Sequence, residues 1–176
     1  MTFHVSFSYF SVPHIFIPTI MLENGNSLKE GSISIGVLSV ANAIGRLLCS
    51  LVNLCPKRVM AVNVVAGISA ASSIVVMANF SNDVQTVYIA CAVYGLSIAP
   101  FSVLTTLSMM HVIQSEDIVP AYGLTISIFG LYSLIGPPLI GFLSIYYGNF
   151  AVPLIYAAAS FVTASICYAL AEYFMH

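Results

Sequence analysis

The chain has 176 residues, of which 60% are hydrophobic and 6% charged, with a formal net charge of −2 and a mean hydropathy of +1.02. A soluble domain carries about 25% charged residues, so a water-facing surface cannot be built from this composition. The absence of any basic run argues against a nucleic-acid partner.

Charged residues and turn formers divide the sequence into six apolar runs, at about 3–22, 32–55, 59–79, 84–110, 121–145 and 150–172. Each is long enough to cross the hydrocarbon core as a helix, which needs about 20 residues. The length leaves room for short loops only, so a single six-helix transmembrane unit over 1–176 is expected. The first run is the least regular, since Pro13 and Pro18 predict a kink or partial unwinding there. In the second run Arg46 is the only formally charged residue deep in a predicted span. The fourth run holds the small-residue stretch Gly95, Ser97, Ala99 and Ser102 around Pro100. The fifth contains Gly136-Pro137-Pro138, which removes two backbone donors and predicts a bent or broken helix.

Orientation follows from basic residues in short loops. Lys57 and Arg58 place the loop between the second and third runs in the cytoplasm. Alternation then puts both termini inside and 23–31, 80–83 and 147–149 outside, against a single outer Lys29. The N-terminus lacks a basic segment ahead of its apolar stretch, so no cleavable signal peptide is expected. The sequon Asn79-Phe80-Ser81 falls at an outer membrane edge, too near the lipid to be glycosylated. Cys49, Cys55, Cys91 and Cys167 lie in or at the ends of apolar segments without metal-ligand spacing and read as small core residues. No metal or cofactor is expected. Phosphate loops, metal-spaced clusters and nucleophile motifs are also missing, so the chain does not read as an enzyme.

A charged guanidinium in the bilayer interior costs about 2.5–3.5 kcal/mol on insertion scales. It therefore needs a wet cavity or a partner. Two readings of Arg46 follow: a contact for a carboxylate in a translocation path, or a structural Arg that bonds carbonyls or snorkels to an interface. Asn42 lies one helical turn earlier on the same face, where it either meets a solute, steadies the guanidinium, or bonds another helix. Ser97 and Ser102 either face a cavity or serve close helix packing. His14, beside Pro13, either titrates or bonds a substrate or, as the favoured reading, is a hydrogen-bonded structural residue.

The motifs together resemble the C-terminal half of a monocarboxylate transporter-like protein of the major facilitator superfamily. The resemblance rests on Ala41-Asn42-Ala43-Ile44-Gly45-Arg46, Ala121-Tyr122-Gly123-Leu124, Gly136-Pro137-Pro138-Leu139-Ile140-Gly141 and Tyr147-Gly148. It implies that the six spans are the last six helices of a twelve-helix carrier. It implies that Arg46 holds a substrate carboxylate, with Asn42, Ser102 and Ile98 at the substrate site. Pro100, Gly136, Pro137 and Pro138 would bend during gating. Proton-coupled members have an Asp where this chain has Asn42, and a Gly commonly stands at the position of Ser50. Ile98 occupies the place of a bulky aromatic that sets pocket size in lactate carriers. The implied partners are the lipid bilayer, a small carboxylate solute, and an N-terminal six-helix half or a second copy, with any accessory membrane subunit unknown. The implied place is the plasma membrane. The competing expectation is a non-transporting membrane scaffold or a truncated, inactive remnant of a carrier.

Overall fold

In lipid there is no water to satisfy backbone N–H and C=O groups, so long apolar runs with few strand signals must close their own hydrogen bonds as helices. The structure, a computed structural model, describes residues 11–52, 59–112, 116–148 and 150–175. Among the described residues all regular structure is helical. The order is α1 (Ser11–Glu23), α2 (Leu28–Val52), α3 (Val59–Asn79), α4 (Val84–Val112), α5 (Ile118–Tyr147) and α6 (Ala151–Met175).

Five of these, α2 to α6, are long and apolar enough to cross a membrane, and the chain is an all-α integral membrane protein. The exception is α1. Its 13 residues make a helix about 20 Å long, short of a hydrocarbon core about 30 Å thick. The expected first span also covers residues 3–10, which lie outside the described residues. Elsewhere the helices follow the predicted runs with shifted ends. The fifth starts earlier than expected, at Ile118, because Pro120 sits in the first turn, where its missing N–H has no helical acceptor to lose.

The turns explain why the helices stop where they do. At the end of α1, Gly25 adopts φ +85°. Its N–H bonds Leu22 O at 3.1 Å, and the Asn26 N–H bonds Met21 O at 2.9 Å. That pair of bonds closes the helix around a left-handed glycine. Two residues on, Ser27 caps α2. Its N–H and hydroxyl both donate to the Glu30 carboxylate, at 2.8 and 3.0 Å, and the Glu30 N–H returns to Ser27 Oγ at 3.3 Å. This reciprocal box satisfies donors that the first helical turn leaves without partners. Asp83 does the same for α4 through the Gln85 N–H and the Thr86 hydroxyl. Gly148, at φ +69°, ends α5. Asn26 Nδ2 donates to Ser81 O at 3.0 Å, so the α1–α2 and α3–α4 turns lie at one end of the bundle, as the predicted alternation requires.

Lipid tails are as apolar as leucine, so burial from water does not draw these helices together. Close packing does. The centre is α4, in whose apolar stretch 61% of residues are buried, against 12% in that of α5. The seam between α2 and α4 is built from Ala41 and Gly45 on one helix and Gly95 and Ala99 on the other. A Cβ on Gly95 would overlap Leu38 O, and one on Gly45 would come within 2.7 Å of Ala99 Cβ. Both glycines are therefore required by the approach of the backbones. Pro100 contributes to the same seam. It cannot donate to Leu96 O, and that carbonyl lies only 3.1 Å from where a Gly45 Cβ would stand. On the other side, Gly67 of α3 packs against the Ser165 side chain and Phe161 O of α6. Tyr94, Phe101, Phe161 and Tyr168 link α4 to α6 through edge-on ring contacts, with centroids 5.8–6.1 Å apart. Cys49 and Cys91 are buried and Cys167 half-buried, while Cys55 lies outside the described residues.

Candidate functional site

The site is built on α2, whose surface divides into three faces. Ser34, Leu38, Ala41, Gly45 and Cys49 form the buried seam. Ile33, Val40, Ile44 and Leu47 are exposed and apolar, the natural lipid side. The third face is exposed and carries only Ser32, Gly36, Ser39, Ala43, Arg46 and Ser50, recurring every three or four residues. Small and hydroxyl side chains there leave space around the single guanidinium. A Cβ on Gly36 would meet nothing within 4 Å.

Arg46 lies six residues before the last residue of α2, about 9 Å from that helix end at 1.5 Å per residue. A snorkelling side chain would run toward that end. Instead, Arg46 Nε donates to Asn42 Oδ1 at 2.8 Å. The side chain thus turns back one helical turn toward the middle of the span, the direction in which long helical side chains lean. Asn42 is 8% exposed, and its acceptor is committed to the guanidinium. This bond uses Nε and leaves both terminal amino groups outside the pair. They form the planar two-donor edge that matches a carboxylate. Among the described residues no carboxylate pairs with Arg46.

The other expected site residues separate. Ile98 is fully buried within the core. Ser102 is half-buried and donates to Ala99 O at 2.9 Å. It lies three residues beyond Ala99, and no hydrogen bond joins it to Arg46. Pro100 lies inside α4, which continues through it. It also lines a groove of about 550 Å³ between α3 and α4 with Val62, Val65, Ala66 and Leu96, where Ser69 and Ser97 share a hydrogen bond of 2.7 Å. That groove runs along a different face from Arg46. α5 runs unbroken through Gly136, Pro137 and Pro138, where a break was one of the two expectations. Gly136 is buried, Pro137 half-buried and Pro138 exposed. His14 is half-buried, with its ring 6.4 Å from that of Tyr94.

Sequence reasoning found the pair Asn42 and Arg46 but missed the polar face that surrounds it. A reading of α2 at helical period would have shown the face, since its residues recur at three- and four-residue steps. The caps were legible too, as Ser27-x-x-Glu30 and Asp83-x-x-Thr86. No group of three or more metal-ligating side chains occurs among the described residues. No protein-family model matches the chain, and no curated protein matches it at a significant level.

Proposed function

We propose that the chain forms part of a membrane carrier for small organic anions, with the guanidinium of Arg46 as the contact for the carboxylate. The observation that carries this reading is the bond from Arg46 Nε to Asn42 Oδ1. It fixes the guanidinium on an exposed polar face of a membrane helix while leaving its two-donor edge available. Asn42 is then a positioning residue. Ser102 and the hydroxyls of the polar face line the path, and Ile98 supports it from the core. The carboxylate would neutralise a charge that a membrane-spanning helix carries at a cost.

One bundle offers one wall of such a path. A second helical bundle, from an N-terminal half or another copy, would complete it against the exposed faces of α2 and α5. Glycines there have open space where a side chain would stand, at Gly36, Gly123, Gly130 and Gly141. Alternating access would proceed by rocking of the two bundles about the site. Pro100 and the Gly136-Pro137-Pro138 segment would supply flexure, because each proline removes a backbone bond that stiffens the helix.

Uptake of labelled acetate, pyruvate, lactate and benzoate into proteoliposomes preloaded with the same unlabelled anion tests the reading. At least one should accumulate. Arg46→Ala should abolish the signal, and Arg46→Lys should lower it about 10-fold, since a point charge replaces the planar fork. Full uptake by Arg46→Ala would remove Arg46 from the site.

A further inference from the structure

The last turns of α5 carry an arrangement of rings that an anion path does not use. Phe142, Tyr146 and Tyr147 are all exposed there. The rings of Phe142 and Tyr146 run nearly parallel, 20° apart with centroids at 6.5 Å. Tyr147 stands at 86° to Tyr146, with centroids at 5.2 Å. A near-perpendicular pair at this spacing makes a corner in which one cation can lie within about 6 Å of both centroids, the range of cation–π attraction. The electrostatics agree. A helix C-terminus carries about half a negative charge on its unpaired carbonyls, and α5 has no basic residue in its last turn. Residues 118–171 hold no Asp, Glu, Lys, Arg or His. The corner thus attracts positive charge, and this stretch of chain supplies none.

Depth in the membrane narrows the ligand. The 30 residues of α5 make a helix about 45 Å long. That exceeds a hydrocarbon core of about 30 Å and matches the 40–45 Å of a bilayer with its headgroup layers, so the last turn of α5 reaches the headgroups. The packing agrees. Tyr94 and Phe161, whose rings meet at 6.1 Å, each stand ten residues after the start of their helices, at Val84 and Ala151. The α5–α6 connection is therefore level with Asp83 and the polar turn before α4. A cation presented at that level beside a membrane helix belongs to a lipid headgroup. We propose that the corner of Tyr146 and Tyr147 binds the trimethylammonium group of a choline lipid. A quaternary ammonium has no N–H to satisfy and sits well on ring faces. A primary ammonium brings three donors, and this stretch has no carboxylate to accept them. The tails have a track as well. Below Tyr146, the exposed Phe142, Leu139, Ile135 and Leu131 recur at three- and four-residue steps. That stripe lies about 120° around the helix from Gly123, Gly130 and Gly141, so a bound lipid leaves the glycine face free. The inference does not depend on the carrier reading.

The test weighs the whole chain by native mass spectrometry from micelles holding equal amounts of dioleoyl phosphatidylcholine, phosphatidylethanolamine and phosphatidylglycerol. The first two share their phosphate, tails and net charge and differ in the methyl groups on nitrogen, so their ratio isolates the chemistry of the cation. Bound phosphatidylcholine should exceed phosphatidylethanolamine about 5-fold, the ratio that partly exposed cation–π contacts support. Replacing Tyr146 and Tyr147 together by Leu keeps apolar bulk and removes both ring faces, and should bring the ratio to about one. Tyr146→Phe keeps the face and should hold the parent ratio. Both positions are exposed, so the fold should survive. Should the double variant unfold, Tyr147→Leu alone removes one wall of the corner and should roughly halve the ratio. A parent ratio near one would overturn the inference and leave an aromatic belt that does not select among headgroups. An excess of phosphatidylglycerol would overturn it in favour of an anionic headgroup. A parent ratio unchanged in the leucine variants, or lost in Tyr146→Phe, would place the selectivity outside the ring faces and overturn it as well.

Discussion

The glycines of the α2–α4 seam show how much one missing Cβ decides. A methyl group on Gly95 would overlap Leu38 O, and on Gly45 it would press on Ala99. The helices would have to separate, and overpacking of this kind costs about 1–3 kcal/mol. Gly95→Val should therefore lower the thermal midpoint in detergent. By contrast, Gly36→Ala and Gly130→Ala add a methyl that meets nothing, and the gain in helix propensity should leave stability equal or higher by up to about 1 kcal/mol. The chain has no Trp, so the readout is the labelling of buried Cys49 and Cys91 by a thiol dye as the bundle opens. Equal loss in both classes would mean that the seam is not where packing is decided. At this scale the sequence was partly informative. The spacing of Asn42 and Arg46 predicts that they share a face, and their bond agrees with it. The same stretch holds Gly45 next to Arg46, yet the tight approach of Gly45 to Leu96 O depends on a helix about fifty residues away, which local spacing cannot reveal. Ile98 shows the opposite limit, since its fully buried position follows from the packing of α4 against its neighbours.

At the scale of elements, helix ends were less legible than helix existence, because they depend on a few hydrogen bonds. α3 matches its predicted run at Val59–Asn79, whereas α2 begins at Leu28, ahead of the expected 32. The difference is the capping box, which lets Lys29 and Glu30 join the helix despite their charge. Replacing Ser27 with Ala removes the acceptor for the Glu30 N–H and the hydroxyl bond to its carboxylate, and should cost about 1 kcal/mol. The Asp83 cap has a pH signature. Its carboxyl is held below its ordinary value of 3.8, chiefly by the Thr86 hydroxyl and then by the Gln85 and Thr86 N–H groups. A lowered folded value means that the stabilisation is present above the ordinary value and is lost as pH falls through the lowered one. Asp83→Ala should thus melt a little below the parent at pH 7. The gap should begin to narrow below about pH 4 and close as pH falls through the lowered value. A gap of constant size down to pH 2.5 would show that the side chain acts through shape and not through its charge.

For the molecule as a whole, the question is why so apolar a helix as α5 buries so little of itself. Its span is 30 residues long, yet 12% of its apolar stretch is buried, against 61% for that of α4, which is of similar apolarity. Composition predicted both as spans and had no means to separate them, since hydropathy does not distinguish a lipid neighbour from a protein neighbour. Small residues do. The glycines used inside the bundle press on backbone or side-chain atoms, whereas Gly123, Gly130 and Gly141 of α5 meet nothing within 4 Å. Lipid gains little from glycine, but a second helix gains close approach. If α5 and the polar face of α2 close against another bundle, a bulky residue there should impair transport and spare the fold. Gly130→Trp should keep the thiol-labelling midpoint within about 0.5 kcal/mol of the parent, as surface substitutions usually do, and reduce anion exchange about 10-fold or more, since a misplaced wall costs on this scale. Leu131→Trp, on a neighbouring exposed position rotated by about 100° around the helix, serves as the control and should keep its flux. Loss of flux in both variants with unchanged stability would indicate a general effect of aromatic bulk on α5. Retention in both would assign the glycine face to lipid and place the second wall of the anion path elsewhere.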